Sequence, residues 1–281
     1  MLSAALARCG VEVVVLMRPE SLSQYPGRFA VDSQVLGDFE VDVAAVAGLD
    51  REVDVLWVTP KATQLVGALT LAPREKVGSA LVIPLLNGVD HMSVLRAHYE
   101  SVAAGTMRVA SERVGPGRIS QKSPFIRVDI VGPQSVASDV RAAGIECVLG
   151  DDELTVLWQK LAFLAPLALA TTVADAPLGS VRWDENYLQA QQEVLAVAQA
   201  EGAHVDVVGL ESLRDAAPDT MRSSMQHDVE LGRAPEIDAI AGPILRGGRR
   251  HGIATPATQM LADQVRTRAG LDPEPEPAGV P

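Results

Sequence analysis

A lysine set among leucines is the first chemical signal in the sequence. Leu157, Lys160, Leu164 and Leu167 recur at spacings of three and four, which puts the ammonium on an apolar helical stripe. Burial disfavours the charged form of lysine and makes it a competent proton donor or acceptor near neutral pH. The alternative is a side chain that snorkels to solvent from the stripe edge. Pro166, a turn later, is expected to kink this helix, as happens where a helix bends around a pocket. Glu236 follows Pro235, which suits the first helical position, and the stripe behind it is Ile237, Ile240, Ala241, Ile244 and Leu245. A glutamate there otherwise serves as a partner for the helix dipole. Around it stand Ser223-Ser224-Met225, Asp228, Gly232-Arg233, Glu236-Ile237-Asp238, Gly242, Gly252-Ile253 and Thr255-Pro256.

Other chemistries find little support. Asp151, Asp152 and Glu153 are adjacent acids that point in different directions on a first helical turn, with no histidine beside them. They fit a helix N-terminus better than a metal site. His91, His98, His204, His227 and His251 show no ligand spacing, and there is no G-x-S-x-G elbow, which disfavours metal-dependent and serine hydrolases. The 24 basic and 36 acidic residues leave a net charge of −12, which argues against a nucleic-acid or anionic-membrane partner. Cys9 and Cys147 are too few for a disulfide framework and suit a reducing cytoplasm, read as two small hydrophobes. The longest mostly apolar stretch, Leu161 to Ala174, falls short of the roughly 20 residues a membrane span needs, so no transmembrane helix is expected.

The elements that must hold these residues fall into two kinds. Met1 to Gly10 reads as the last two turns of a helix stopped by Gly10, with no signal-peptide character. Buried strands follow at Val11 to Met17, Val53 to Thr59, Ser79 to Leu86 and Val102 to Ala110, alternating with segments such as Lys61 to Leu69 and Val89 to His98. Such alternation predicts a doubly wound parallel sheet. Arg113 to Val131, punctuated by Gly115-Pro116-Gly117, predicts antiparallel hairpin strands at its edge. From Asp151 the pattern is almost wholly helical. The expected organisation is an α/β domain over 1–150, an all-α domain over 151–270 and a disordered, acidic, Pro-rich tail over 271–281. A strand with G-x-G-x-x-G, the usual phosphate turn of a dinucleotide-binding βαβ unit, does not occur within the 281 residues.

Taken together, the Ser-Ser-Met to Thr-Pro segment, Trp158-x-Lys160-Leu161, Lys61 just after Val53 to Thr59 and Asn87-Gly88 just after Ser79 to Leu86, at the places of the third and fourth sheet strands of that fold, resemble the ketopantoate reductase (2-dehydropantoate 2-reductase) family over residues 1 to about 268. The resemblance implies a Rossmann-like α/β domain, its first strand and Gly-rich loop lying before Met1, followed by an all-α domain. It implies reduction of a small-molecule 2-oxo acid or ketone by NADPH, with NADP as the cofactor and a possible homodimer. Lys160 would be the proton donor, Glu236 would line the cofactor and substrate end of the site, and Ser224 would bind substrate. Asn87, Lys61 and the backbone near Ala110 would contact the cofactor. Arg18, one residue beyond the first strand, stands where an acid usually binds the ribose of NAD; an arginine suits a 2′-phosphate and favours NADP, unless it is an ordinary surface residue. Leu164, Ala168 and Leu178 occupy substrate-lining positions where the family supplies asparagines, and Met221 another polar one. A more apolar substrate is therefore expected, the alternative being a catalytically impaired relative that binds a nucleotide or ligand.

Overall fold

The computed structural model describes residues 1–272, so all but the first two residues of the tail expected over 271–281 lie outside the described residues. The chain divides into two units, Met1–Leu86 with His91–Val156, and Asn87–Asp90 with Leu157 onward. The first holds α1 (Leu2–Arg8), β1 (Val14–Leu16), α2 (Pro19–Leu22), β2 (Arg28–Ser33), β3 (Phe39–Asp42), β4 (Ala44–Val46), β5 (Val55–Val58), α3 (Leu65–Leu69), α4 (Arg74–Val77), β6 (Leu81–Pro84), α5 (His91–His98), β7 (Gly105–Arg108), β8 (Ser111–Gly115), β9 (Arg118–Gln121), β10 (Arg127–Ile130), α6 (Gln134–Ala142) and β11 (Glu146–Leu149).

Strand β6 explains its own apolar composition. Val82 packs with Leu49, Val58, Leu65 and Leu95, whereas Ile83 packs with Leu2, Leu6, Val128 and Val140. Successive strand residues face opposite sides, so β6 is covered on both, as a strand between helical layers must be. The parallel pairs β1–β4 and β5–β6 follow the expectation, but the ladder is not one sheet. It is divided among those two pairs, β11–β10–β7 and β3–β2–β9–β8. Short strands are part of the reason. Val11, expected to open β1, instead donates its N–H to Leu6 O and closes the end of α1. The anticipated hairpin is β8–β9, antiparallel, with β9 parallel to β2. Cys147 is buried and its thiol pKa is pushed up by that burial, whereas Cys9 is exposed at the C-cap of α1 rather than continuing its apolar stripe.

The helical unit comprises α7 (Glu153–Ala174, whose first turn belongs to the first unit), α8 (Leu178–Val181), α9 (Glu185–Ala200), α10 (Val207–Ala216), α11 (Ser224–Glu230), α12 (Ile237–Ile240), α13 (Gly242–His251) and α14 (Pro256–Arg268). The acidic triplet serves the start of α7: Asp152 Oδ2 accepts from the Thr155 N–H at 2.7 Å. Helix α7 runs unbroken through Pro166 for 22 residues. This corrects the expectation that its apolar stretch is too short to cross a bilayer, since it is long and apolar enough. Its most apolar 18-residue window is, however, 72% buried inside the protein, in a core with Val194, Val197, Ile244, Leu261 and Val265.

Helix α14 opens on Pro256 without a side-chain cap from Thr255, and the missing acceptor comes from α9. The buried Glu193 carboxylate accepts from the Ala257 N–H (2.9 Å), the Thr258 N–H (2.8 Å) and the Thr258 hydroxyl (2.7 Å). Hydrogen bonds to a buried charge are each worth about 1.5 to 3 kcal/mol, and the carboxylate also opposes the helix dipole. Glu193→Gln keeps one acceptor oxygen and loses the charge. It is expected to lower unfolding free energy by about 2 kcal/mol in a denaturant titration, while Glu185→Gln, exposed in the first turn of the same helix, loses only a dipole partner worth about 0.3 to 1 kcal/mol.

Candidate functional site

Two residues 149 positions apart in the sequence meet in the helical unit. Asn87 Nδ2 donates to Glu236 Oε2 at 3.1 Å. Glu236 is 9% exposed and stands as the N-cap residue of α12. The Asn87–Asp90 segment reaches it because Gly88 has no side chain. A Cβ on Gly88 would overlap the Ala239 carbonyl oxygen and lie 3.0 Å from its carbon. Gly88 also has φ of 80°, a conformation that glycine adopts without strain. Val89 packs against the core of the unit, and Asp90 forms an ion pair with Arg246 of α13. The same guanidinium holds Asp238 at 2.6 Å, and a Cβ on Gly242 would collide with both Arg246 and Asp238. Burial opposes the Arg246 charge, but the bonds to Asp238 and Asp90 outweigh it, and its pKa lies above the ordinary arginine value.

Lys160 lies on α7 and is buried, 9% exposed, between Trp158 and Leu161. Trp158, Leu161, Ile237 and Ile240 belong to one core cluster, so the helices carrying Lys160 and Glu236 are fixed by the same packing. Leu164, one turn on, is half-buried against that cluster. Ala168 and Leu178 are enclosed more completely than Leu164. Each has 0% of its surface exposed, and they lie in different clusters, Leu178 packing with Leu167, Val181 and Tyr187. Met221 is half-buried against the Leu178 cluster.

The Ser-Ser-Met motif divides its work. Ser224 is exposed at the first position of α11, and Ser223 is its buried N-cap. Ser223 Oγ accepts from the Gln226 N–H at 3.1 Å and lies 3.0 Å from Thr171 Oγ1 on α7. Sequence reasoning named Ser223 only as part of its motif, without a role, and missed Thr171 and Arg246. A serine three residues before Gln226 is a capping signal, and Asp238 and Arg246 are opposite charges flanking a glycine. Nothing in the local sequence marks Thr171.

In the α/β unit, Arg18 is exposed immediately past β1 and is the N-cap residue of α2. Among the described residues no acid forms an ion pair with it. Lys61 is half-buried after β5, at the start of a 3-10 turn, Ala62–Gln64. Ala110 is exposed; its N–H donates to Ser123 Oγ at 3.0 Å and its carbonyl accepts from the Lys122 N–H at 3.0 Å. Both backbone groups of Ala110 thus already have partners within the chain.

The chain is similar in sequence and fold to known proteins. Residues 1–130 match the family model described as "Ketopantoate reductase PanE/ApbA", and residues 153–269 match "Ketopantoate reductase PanE/ApbA C terminal". The 2-dehydropantoate 2-reductase of Caulobacter vibrioides is 31% identical over 276 residues, covering 93% of this chain and 89% of that one. A solved PanE/ApbA family ketopantoate reductase from Ralstonia eutropha JMP134 matches with a TM-score of 0.83 at 27% identity, over 96% of this chain and 94% of the other. D-mandelate dehydrogenase, solved with NADH and anilino(oxo)acetate, shares the fold with a TM-score of 0.82 at 21% identity, over 96% and 94% of the two chains.

Proposed function

The chain belongs to the ketopantoate reductase family, and from that premise we propose that it reduces the keto group of a 2-oxo acid, or a related ketone, to the hydroxyl compound with NADPH. The observation that carries the proposal is the Asn87–Glu236 hydrogen bond, formed between two residues that match family motifs in distant parts of the sequence. NADPH, when bound, supplies the hydride to the carbonyl carbon. Lys160 Nζ gives a proton to the carbonyl oxygen as negative charge develops there, so that hydride and proton together make the hydroxyl group. Solvent then returns a proton to the amine. Glu236, as a carboxylate, only accepts, so it turns the Nδ2 side of Asn87 toward itself and leaves Oδ1 to accept from an N–H or O–H of a ligand. Half-buried Leu164 and Met221 favour a substrate whose side chain is apolar over one bearing a hydroxyl, because a hydroxyl would leave water without finding a partner.

The test is NADPH oxidation by the purified protein, presented with ketopantoate and with bulkier, more apolar 2-oxo acids. Turnover that is faster with the apolar series supports the proposal; no oxidation with any of them removes it. Tight NADPH binding by calorimetry without turnover would instead favour a ligand-binding role. Arg18 supports NADPH over NADH, since it offers a 2′-phosphate a charge-assisted bond. Arg18→Ala is expected to raise the KM for NADPH about tenfold, equivalent to about 1.4 kcal/mol, and to leave the KM for NADH unchanged. Equal effects on the two would show that Arg18 does not read the phosphate.

A further inference from the structure

Arg246 is too far out on the surface to be read as part of the chemistry, with 37% of its side chain exposed. Its guanidinium nevertheless grips both sides of the Gly88–Ala239 approach, Asp90 on the loop and Asp238 on the helix. The spacing makes this specific. Asp90 lies three residues beyond Asn87, and Asp238 two beyond Glu236, so the planar fork of Arg246 closes a ring that runs through the Asn87–Glu236 hydrogen bond. Gly242 leaves the room that Arg246 and Asp238 occupy. A lysine could satisfy one of these carboxylates as a point charge, but its ammonium lacks the rigid fork that spans two.

We propose that Arg246 is a positioning residue, which clamps the Asn87–Asp90 loop onto α12 and so fixes the Asn87 amide on Glu236. The proposal rests on the reading of Asn87 and Glu236 as part of the reductase site. Exposed ion pairs contribute only about 0.2 to 1 kcal/mol to stability, so the clamp acts on geometry. Misplacement of a ligand-orienting group by about 1 Å can cost 10²-fold in rate.

Arg246→Met keeps most of the stem and removes the fork. In the full-length protein it is expected to lower kcat/KM for NADPH by roughly 10- to 100-fold, mainly through KM, with the melting temperature nearly unchanged. Asp90→Asn should reproduce that loss. Asp238→Asn should do so more weakly, and Arg246→Lys should restore part of it. Hydrogen exchange read by mass spectrometry over residues 86–92 provides a readout independent of turnover, and Arg246→Met should accelerate it there and nowhere in α9 or α14. Unchanged exchange in the 86–92 segment overturns the clamp whatever the kinetics show. Faster exchange with unchanged kcat/KM overturns its role in positioning. If the unmodified protein neither binds nor oxidises NADPH, the reductase reading fails, while the exchange experiment still decides whether Arg246 holds the loop.

Discussion

Lys160→Ala lowers turnover by roughly 10² to 10⁴, the usual contribution of a positioned general acid, and leaves NADPH binding in place. The expectation follows from where the side chain stands. Lys160 is 9% exposed on the face of α7 that carries Leu157 and Leu164, and Trp158 and Leu161 on either side of it are buried in the main core of the helical unit. A group held in that way has a fixed reach, which proton transfer at a single oxygen requires. Loss of volume is a competing explanation for a slow variant, and Lys160→Met separates the two, since it fills the space of the stem without offering a proton. Both variants should melt within a few degrees of the unmodified protein and be equally slow. Small primary amines added to Lys160→Ala should recover part of the single-turnover rate of NADPH oxidation. A rate within threefold of the unmodified protein in Lys160→Met would exclude proton donation from Nζ.

How much of this could be read in the sequence depended on the range of the interaction. The stripe around Lys160, the two-sided burial of β6 and the capping role of Asp152 are set within a few residues, and periodicity reveals them. Helix geometry also separates the apolar positions that the resemblance marked. Four-residue steps overshoot a helical turn by about 40°, so Ala168, two such steps beyond Lys160, has rotated by about 80° and is fully enclosed in the core. Leu178 is on another helix altogether. The shortened β1 reflects competition for one donor, because the Val11 N–H closes a helix rather than joining a ladder. The pairing of Asn87 with Glu236 has no local signature. The family resemblance marked both residues, but only the fold shows that one bonds to the other. Arg246 and Asp238 are close enough in sequence to suggest a pair, but Asp90 lies in a separate segment and only the fold brings it to the same guanidinium; β2 and β3 alternate in burial over only 6 and 4 residues, a weak period-two signal.

Gly88→Ala is the second substitution with a large expected effect, and it tests whether close backbone approach is what delivers Asn87 to Glu236. Two costs are present. An L-residue at φ of 80° carries a left-handed penalty of roughly 1 to 2 kcal/mol. The new methyl would also overlap the Ala239 carbonyl oxygen, a backbone atom that cannot rotate away, so the loop itself must shift. A displacement of about 1 Å stretches the 3.1 Å Asn87–Glu236 bond beyond hydrogen-bonding distance. The expected result is a kcat/KM for NADPH reduced by about 10²-fold and a melting temperature lower by roughly 5 to 10 °C. Gly232→Ala isolates the first cost: Gly232 has φ of 64°, and a Cβ there would meet nothing within 4 Å. It therefore carries the backbone penalty alone and should lose stability with kinetics intact. If the two variants match in both stability and kcat/KM, the contact with Ala239 does not set the position of Asn87, and the geometry of the pair must come from the core packing of Val89 instead.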